Sequence, residues 1–198
     1  MTAAEMVSAA CAFIAHRRAN RDRLFIAIDG CAAAGKSTLA KGIRTSIESV
    51  SIVRADHFYR PLYEYPAEAL SPAEAYELYF LWERMRDTAL LPLRRGETAK
   101  YQRYDWTTDA LGAWVLVKPS PIVVVEGVYV SRPELRELLD AIIFVDAPRD
   151  VRVRRTFARD RLDNDPNSDW LKPWMATEDW YLEHFRPQEY ADLILKND

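Results

Sequence analysis

Cysteine is scarce in this chain. Only Cys11 and Cys31 occur among 198 residues, with no disulfide-framework spacing. That excludes a small bridge-stapled scaffold and suits a reducing compartment. Long apolar runs are missing too. No stretch of about 18 apolar residues is available to span a membrane. The segment Met1 to Asn20 is Ala-rich and carries Glu5, His16, Arg17 and Arg18, so it lacks the basic-then-apolar order of a signal peptide. A cytoplasmic protein with no membrane partner is expected. Positive charge is not in excess either: 27 Lys and Arg stand against 30 Asp and Glu, a net charge of −3. No overall basic field could hold nucleic acid, although a local patch for a small phosphorylated ligand is compatible with that balance. Repeats, low-complexity tracts and linker-like stretches are absent, so one domain over 1–198 is expected, a length that suits one sizeable core.

What is present is an alternation of strand and helix patterns. Ala3 to Arg18, within an N-terminal segment 1–20, reads as an amphipathic helix with Met6, Val7, Ala10, Phe13 and Ile14 on one stripe. Leu24 to Ile28 is a short continuous apolar run ended by Asp29-Gly30, the look of a strand buried on both faces. A helix from about Lys36 to Glu48 and a strand near Ser51 to Ala55 follow. Further apolar runs lie at Ile122 to Val125, Ala141 to Val145 and Ala191 to Leu195. Between them, helical patterns cover Glu134 to Leu139, Arg149 to Arg161 and Pro173 to Phe185. This order predicts an α/β fold with a parallel sheet covered on both faces. Pro72 to Leu91 reads as one long aromatic-rich helix. Lys100 to Asp105 and Ala113 to Val117 alternate as a small hairpin, an excursion from the main sheet.

The segment Gly30-Cys31-Ala32-Ala33-Ala34-Gly35-Lys36-Ser37 satisfies G-x-x-x-x-G-K-[ST]. Polyphosphate needs a ring of backbone N–H donors, and a loop can wrap that closely only where side chains are small or absent. Lys36 would place its charge on the β- and γ-phosphates, and the Ser37 hydroxyl would ligate Mg²⁺. The helix that begins there, with Thr38 in its first turn, points its positive end at the anion. The motif follows a buried strand and opens a helix, the context it requires. Nucleotide and Mg²⁺ binding over Gly30 to Thr38 is expected, with Cys31 a tolerated small residue.

Two carboxylates fall where strands end, the edge at which open α/β sheets gather ligands. Asp56 follows the second strand, and Glu126 ends the run Val123-Val124-Val125. Glu126 is in the usual setting for the second carboxylate of a phosphate-loop site, holding Mg²⁺ directly or through water. A helix cap or a surface charge is the plainer fate for either residue. His57 reads as a structural or surface histidine. In the segment Arg149 to Arg161, Arg155 and Arg159 share a helix face at i, i+4. They could close over a transferring phosphoryl group, or form a solvated face paired with Asp150, Asp160 and Asp163.

Taken with Asp56-His57-Phe58-Tyr59, Tyr104-Asp105-Trp106, Glu126-Gly127, Phe144-Val145-Asp146 and Arg155 through Arg159-Asp160, the phosphate loop resembles the uridine kinase family of P-loop kinases from about Leu24 to Leu195. The resemblance implies a three-layer α/β/α fold around a five-stranded parallel sheet. It also implies an acceptor-site insertion over about 57–118 and an arginine-bearing lid over about 155–172. ATP would be the donor and a nucleoside-like small molecule the acceptor. By the same resemblance Asp56 accepts the proton of the acceptor hydroxyl, Tyr59, Tyr104, Asp105 and Trp106 line the acceptor pocket, and Arg155 and Arg159 are the lid arginines.

Two positions depart from that family. Leu81 falls where uridine kinases carry an aspartate for the ribose hydroxyls. Thr107-Thr108-Asp109 follows the Tyr-Asp-aromatic triplet where they place a histidine. A lost partner of that kind costs about 1–3 kcal/mol. Kinase activity on a small hydroxyl compound is therefore expected ahead of uridine itself. The alternatives are a kinase for a vitamin-like compound or sugar alcohol, and a nucleotide-gated regulatory protein. Tyr76, Tyr79, Phe80 and Trp82 read as packing residues.

Overall fold

In a computed structural model, which describes residues 1–19, 21–64, 70–160 and 171–198 (backbone alone at 159–160), the first apolar run forms strand β1 (Leu24–Asp29), buried along its whole length. Leu24, Ile26 and Ile28 enter one core and Phe25 and Ala27 another. Such a strand requires a layer on each face. It is joined in chain order by β2 (Val50–Arg54), the antiparallel pair β3 (Ala99–Asp105) and β4 (Ala110–Val117), then β5 (Ile122–Glu126), β6 (Ala141–Asp146) and β7 (Leu193–Lys196). All but the hairpin strands form a five-stranded parallel sheet in the order β2-β5-β1-β6-β7.

One face is covered by α1 (Ala3–Arg18) and α2 (Lys36–Ser46). α1 begins at a capping box between Thr2 and Glu5 and buries Met6, Ala10 and Ile14, the expected stripe. The other face takes α3 (Pro72–Leu78), α4 (Trp82–Met85), α5 (Leu91–Arg95) and α8 (Leu171–Phe185), together with Tyr101 and Tyr104 of the hairpin. Tyr76 stacks on Tyr181 and Phe185, and Tyr79 on Trp174, so these aromatics are packing residues as expected. The short α6 (Pro133–Arg136) and the helix α7 (Arg149–Asp160) complete the described chain. Among the described residues no helix is long and apolar enough to cross a membrane.

The continuous helix expected over Pro72–Leu91 does not form. α3 stops at Leu78, and the next residues pair with the segment after β2. Arg60 N donates to Tyr79 O at 2.9 Å, Leu81 N donates to Phe58 O at 2.8 Å, and Tyr59 bridges Phe80. Helical structure resumes at Trp82 and passes through a π turn (Arg86–Leu90) into α5, which ends on Gly96 at φ +82°. The spacing of apolar residues holds no trace of the break, because the competing hydrogen bonds come from another element. α6 likewise ends earlier than the Glu134 to Leu139 pattern suggested.

The parallel register sets the site. Glu126 lies between Ile28 of β1 and Arg54 of β2, so the ends of three strands meet beside the first turn of α2.

Candidate active site

The loop from Gly30 to Gly35 joins β1 to α2 through three left-handed residues: Gly30 at φ +144°, Ala33 at +57° and Gly35 at +106°. A Cβ on Gly30 would sit 2.4 Å from the carbonyl oxygen of Val145 in β6, so no side chain is tolerated there. Gly35 immediately precedes α2, whose first N–H groups have no partner within the helix. Those groups are donors suited to phosphate oxygens. Lys36 is buried, and its Nζ donates to Cys31 O at 2.7 Å. Cys31 is also buried, and desolvation pushes its thiol well above the usual range, so it behaves as a small packing residue.

Ser37 donates from Oγ to Glu126 Oε2 at 3.0 Å, and Arg54 Nε lies 3.6 Å from Glu126 Oε1. Burial raises the Glu126 carboxyl above its ordinary range and the negative charge of Asp56 adds to this, against Lys36, Ser37 and Arg54. A cation beside Glu126 would relieve both effects. A hydroxyl and carboxylates form an all-oxygen donor set that fits Mg²⁺.

Behind the loop lie two buried networks centred on residues the sequence did not single out. Asp29 is 0% exposed. Its Oδ1 accepts from Gly30 N at 2.6 Å, and its Oδ2 accepts from Ser131 N at 3.0 Å, from Ser131 Oγ and from Tyr181 OH at 2.6 Å. Glu178 of α8 accepts from Ala32 N, from Trp174 Nε1 and from Arg152 Nη1. Desolvation raises the Glu178 carboxyl, while Arg152 beside it pulls the other way. Asp29 carried a weak signal, an acid closing an apolar run. Glu178, inside the mostly apolar α8, carried none.

At the end of β2, Asp56 lies exposed in a 3₁₀ turn (Ala55–Phe58). His57 faces Tyr101 OH at 3.3 Å, and its burial lowers its pKa, consistent with a structural histidine. Tyr59, Tyr104 and Trp106 come together: Tyr59 has ring centroids 5.3 Å from Tyr104 and 4.6 Å from Trp106. Trp106 remains 60% exposed. Tyr104 OH donates to Asp109, while Asp105 Oδ1 accepts from Thr107 N at 2.9 Å and so caps the hairpin turn. A narrow crevice walled by Ala55, Phe58, Phe80, Trp82, Val128 and Tyr129 adjoins the Asp56 turn.

The arginines of α7 part ways. Arg152 is buried against Glu178, and Arg154 is exposed beside Asp150. Arg155 donates to Asn197 Oδ1 at 3.2 Å, and Asn197 Nδ2 donates in turn to Ala34 O at 2.7 Å. Arg155 is thus linked to the phosphate loop through Asn197, just past β7, and among the described residues is not joined to Asp56. The Arg159 side chain and most of the segment expected as a lid, 161–170, lie outside the described residues.

Known proteins match this chain over nearly its whole length. Residues 25–197 match the model of the Phosphoribulokinase / Uridine kinase family. Uridine kinase-like protein 4 of Arabidopsis thaliana is 30% identical over 191 residues, covering 88% of this chain and 39% of that protein. A uridine kinase of Halobacterium salinarum is 32% identical over 139 residues, covering 68% of this chain and 61% of that protein. The chain therefore spans less than two thirds of either relative's length. A Bacillus stearothermophilus structure described as a possible uridine kinase superposes with a TM-score of 0.77 at 23% identity, over 98% of this chain and all of that one, a likeness of fold. With the phosphate loop, the five-stranded parallel sheet and this match over residues 25–197, the chain belongs to the phosphoribulokinase/uridine kinase family of P-loop kinases.

Proposed function

We propose that this protein transfers the γ-phosphoryl group of ATP to a hydroxyl of a small, nucleoside-like molecule. The observation that carries the reading is the meeting of Lys36, Ser37 and Glu126 at one strand edge, with Asp56 close enough to raise the Glu126 pKa. Phosphoryl transfer is mainly positioning and charge stabilisation, and this arrangement supplies both. Within Gly30 to Thr38, the amides other than those of Gly30, Ala32 and Ala34, which already have acceptors in the protein, hold the phosphates together with the Lys36 ammonium. Mg²⁺, held by Ser37 and Glu126, would neutralise charge on the phosphate oxygens. Asp56, exposed at the end of β2, orients the acceptor hydroxyl and takes its proton. The Tyr59–Tyr104–Trp106 cluster gives a ring-stacking wall, and Asp105 is placed to influence acceptor binding through the hairpin turn. Arg155 and Arg159 are assigned to the lid, over about 155–172, and the acceptor site to about 57–118.

A second reading, a kinase for another small hydroxyl compound, draws support from Leu81. Its backbone is tied to Phe58 and its side chain offers no partner to a ribose hydroxyl. ATP consumption measured against a panel of nucleosides, vitamin-like alcohols and sugar alcohols tests both readings. One compound should stimulate turnover strongly, and Lys36→Ala should abolish that turnover while leaving the fold intact. Hydrolysis that no acceptor stimulates, or wild-type turnover by Lys36→Ala, would defeat the proposal.

A further inference from the structure

One peptide unit of the phosphate loop is gripped at both ends. The Cys31 carbonyl accepts from Lys36 Nζ at 2.7 Å, and the Ala32 N–H on the same peptide donates to Glu178 Oε1. Glu178 reaches the loop from α8 and is 1% exposed. Its carboxylate is itself fixed: Trp174 Nε1 donates to Oε1 at 3.0 Å, and Arg152 Nη1 donates to Oε2. Arg152 is 5% exposed and donates from Nε to Ala147 O at 3.2 Å, which ties the pair to the end of β6.

A peptide is a rigid plane. Holding its N–H therefore fixes the direction of its carbonyl, and here the carbonyl holds the ammonium. A buried anion on the N–H also polarises the amide and makes its oxygen a better acceptor. We infer that Glu178 is a positioning residue for Lys36, acting through the Cys31–Ala32 peptide, with Arg152 and Trp174 fixing the carboxylate. The inference rests on the assignment of Lys36 to the phosphates proposed above. It adds that the lysine's aim is set from α8, the helix that follows the lid segment.

A structural role alone would let Glu178 affect the loop whether or not Lys36 is present. Binding of Mg·ATP and of inorganic tripolyphosphate to the full chain, followed by calorimetry, separates the two cases. Glu178→Ala should weaken Mg·ATP binding by about 10-fold, the scale of a lost hydrogen bond to a charged group. Glu178→Gln, whose amide oxygen can still accept from Ala32 and Trp174 while its NH₂ faces Arg152, should recover part of that loss. In a Lys36→Met background, adding Glu178→Ala should change affinity by less than about 2-fold. Equal weakening in both backgrounds, or none in either, overturns the inference. Glu178→Ala leaves Arg152 buried without its partner and can fail to fold. Glu178→Met combined with Arg152→Met removes both charges, and the same comparison with and without Lys36 then decides. If the unsubstituted protein binds neither probe, the proposed function falls as well. If it binds both and the effects simply multiply, only the role of Glu178 falls.

Discussion

Asp29→Asn is the change most informative about how the phosphate loop is held. The carboxylate receives four donors in a site closed to water: Gly30 N–H on Oδ1, and Ser131 N–H, Ser131 O–H and Tyr181 O–H on Oδ2. Asparagine offers one oxygen and one NH₂. With the oxygen at the Oδ2 position three donors are kept, and the NH₂ then confronts Gly30 N–H, donor against donor. The opposite rotamer orphans three donors and is worse. Hydrogen bonds to a charged group contribute about 1.5–3 kcal/mol and neutral ones about 0.5–1.5, so three weakened bonds and one lost bond cost about 4–6 kcal/mol. Relief from burying a charge offsets about 2 kcal/mol of this. The net loss, about 3 kcal/mol, corresponds to a fall in Tm of about 6–12 °C for a chain of this size. Ser131→Ala leaves Asp29 with three donors and should cost about 1.5 kcal/mol, the low end of that range, or about 3–6 °C. Thermal unfolding followed by circular dichroism measures both. The reasoning is refuted if Asp29→Asn melts within about 2 °C of the unsubstituted protein, or if Ser131→Ala is the more damaging change.

Three further outcomes are expected. Asp56→Asn should lower kcat by about 10²- to 10⁴-fold with little change in ATP affinity, whereas Asp105→Asn should chiefly raise the acceptor KM; the reverse pattern would exchange their roles. Uridine should have a kcat/KM well below that of the best acceptor because Leu81 offers ribose no hydrogen bond, and uridine emerging as the preferred compound in the panel would show that ribose is held by other means. Burial raises the Glu126 carboxyl, so its protonated form is favoured in the folded state. Its contribution to stability is present below the ordinary carboxylate pKa and is lost as pH rises through the folded value. Without Mg²⁺, Glu126→Gln should therefore raise Tm more at about pH 7 than at about pH 4, and a pH-independent effect on Tm would contradict this.

Much of the architecture was legible because it is written in local patterns. Continuous apolar runs at Leu24 to Ile28, Ile122 to Val125 and Ala141 to Val145 became strands of the parallel sheet, and the phosphate loop showed itself in eight consecutive residues. The break at Tyr79 to Leu81 was not legible, since its cause is hydrogen bonding to Phe58 and Arg60. Nor could the run of arginines in α7 be sorted by spacing. Arg152 is buried on Glu178, Arg154 pairs with Asp150 at the surface, and Arg155 binds the C-terminal Asn197. Their partners lie on different elements, and two of the three are far away in sequence.

The same division between local and distant causes runs through the site itself. The eight-residue motif supplies the donors, but three of its residues sit in left-handed conformations, one of them the alanine Ala33. Such backbone persists only where its surroundings over-determine it. Here the surroundings are three anchors: the neighbouring Asp29, itself fixed by the distant Ser131 and Tyr181, on the N–H of Gly30; Glu178 on the N–H of Ala32; and Asn197 on the carbonyl of Ala34. Each anchor takes a loop group on a different residue, so together they leave the backbone little freedom between Gly30 and Ala34. Two of them depend on α8, since Tyr181 steadies Asp29 and Glu178 holds Ala32 directly. A loop of the same sequence without α8 would keep its glycines and its lysine, yet lose the contacts that fix the direction of its amides. The motif names the chemistry; the buried polar residues behind it set the geometry at which that chemistry can occur.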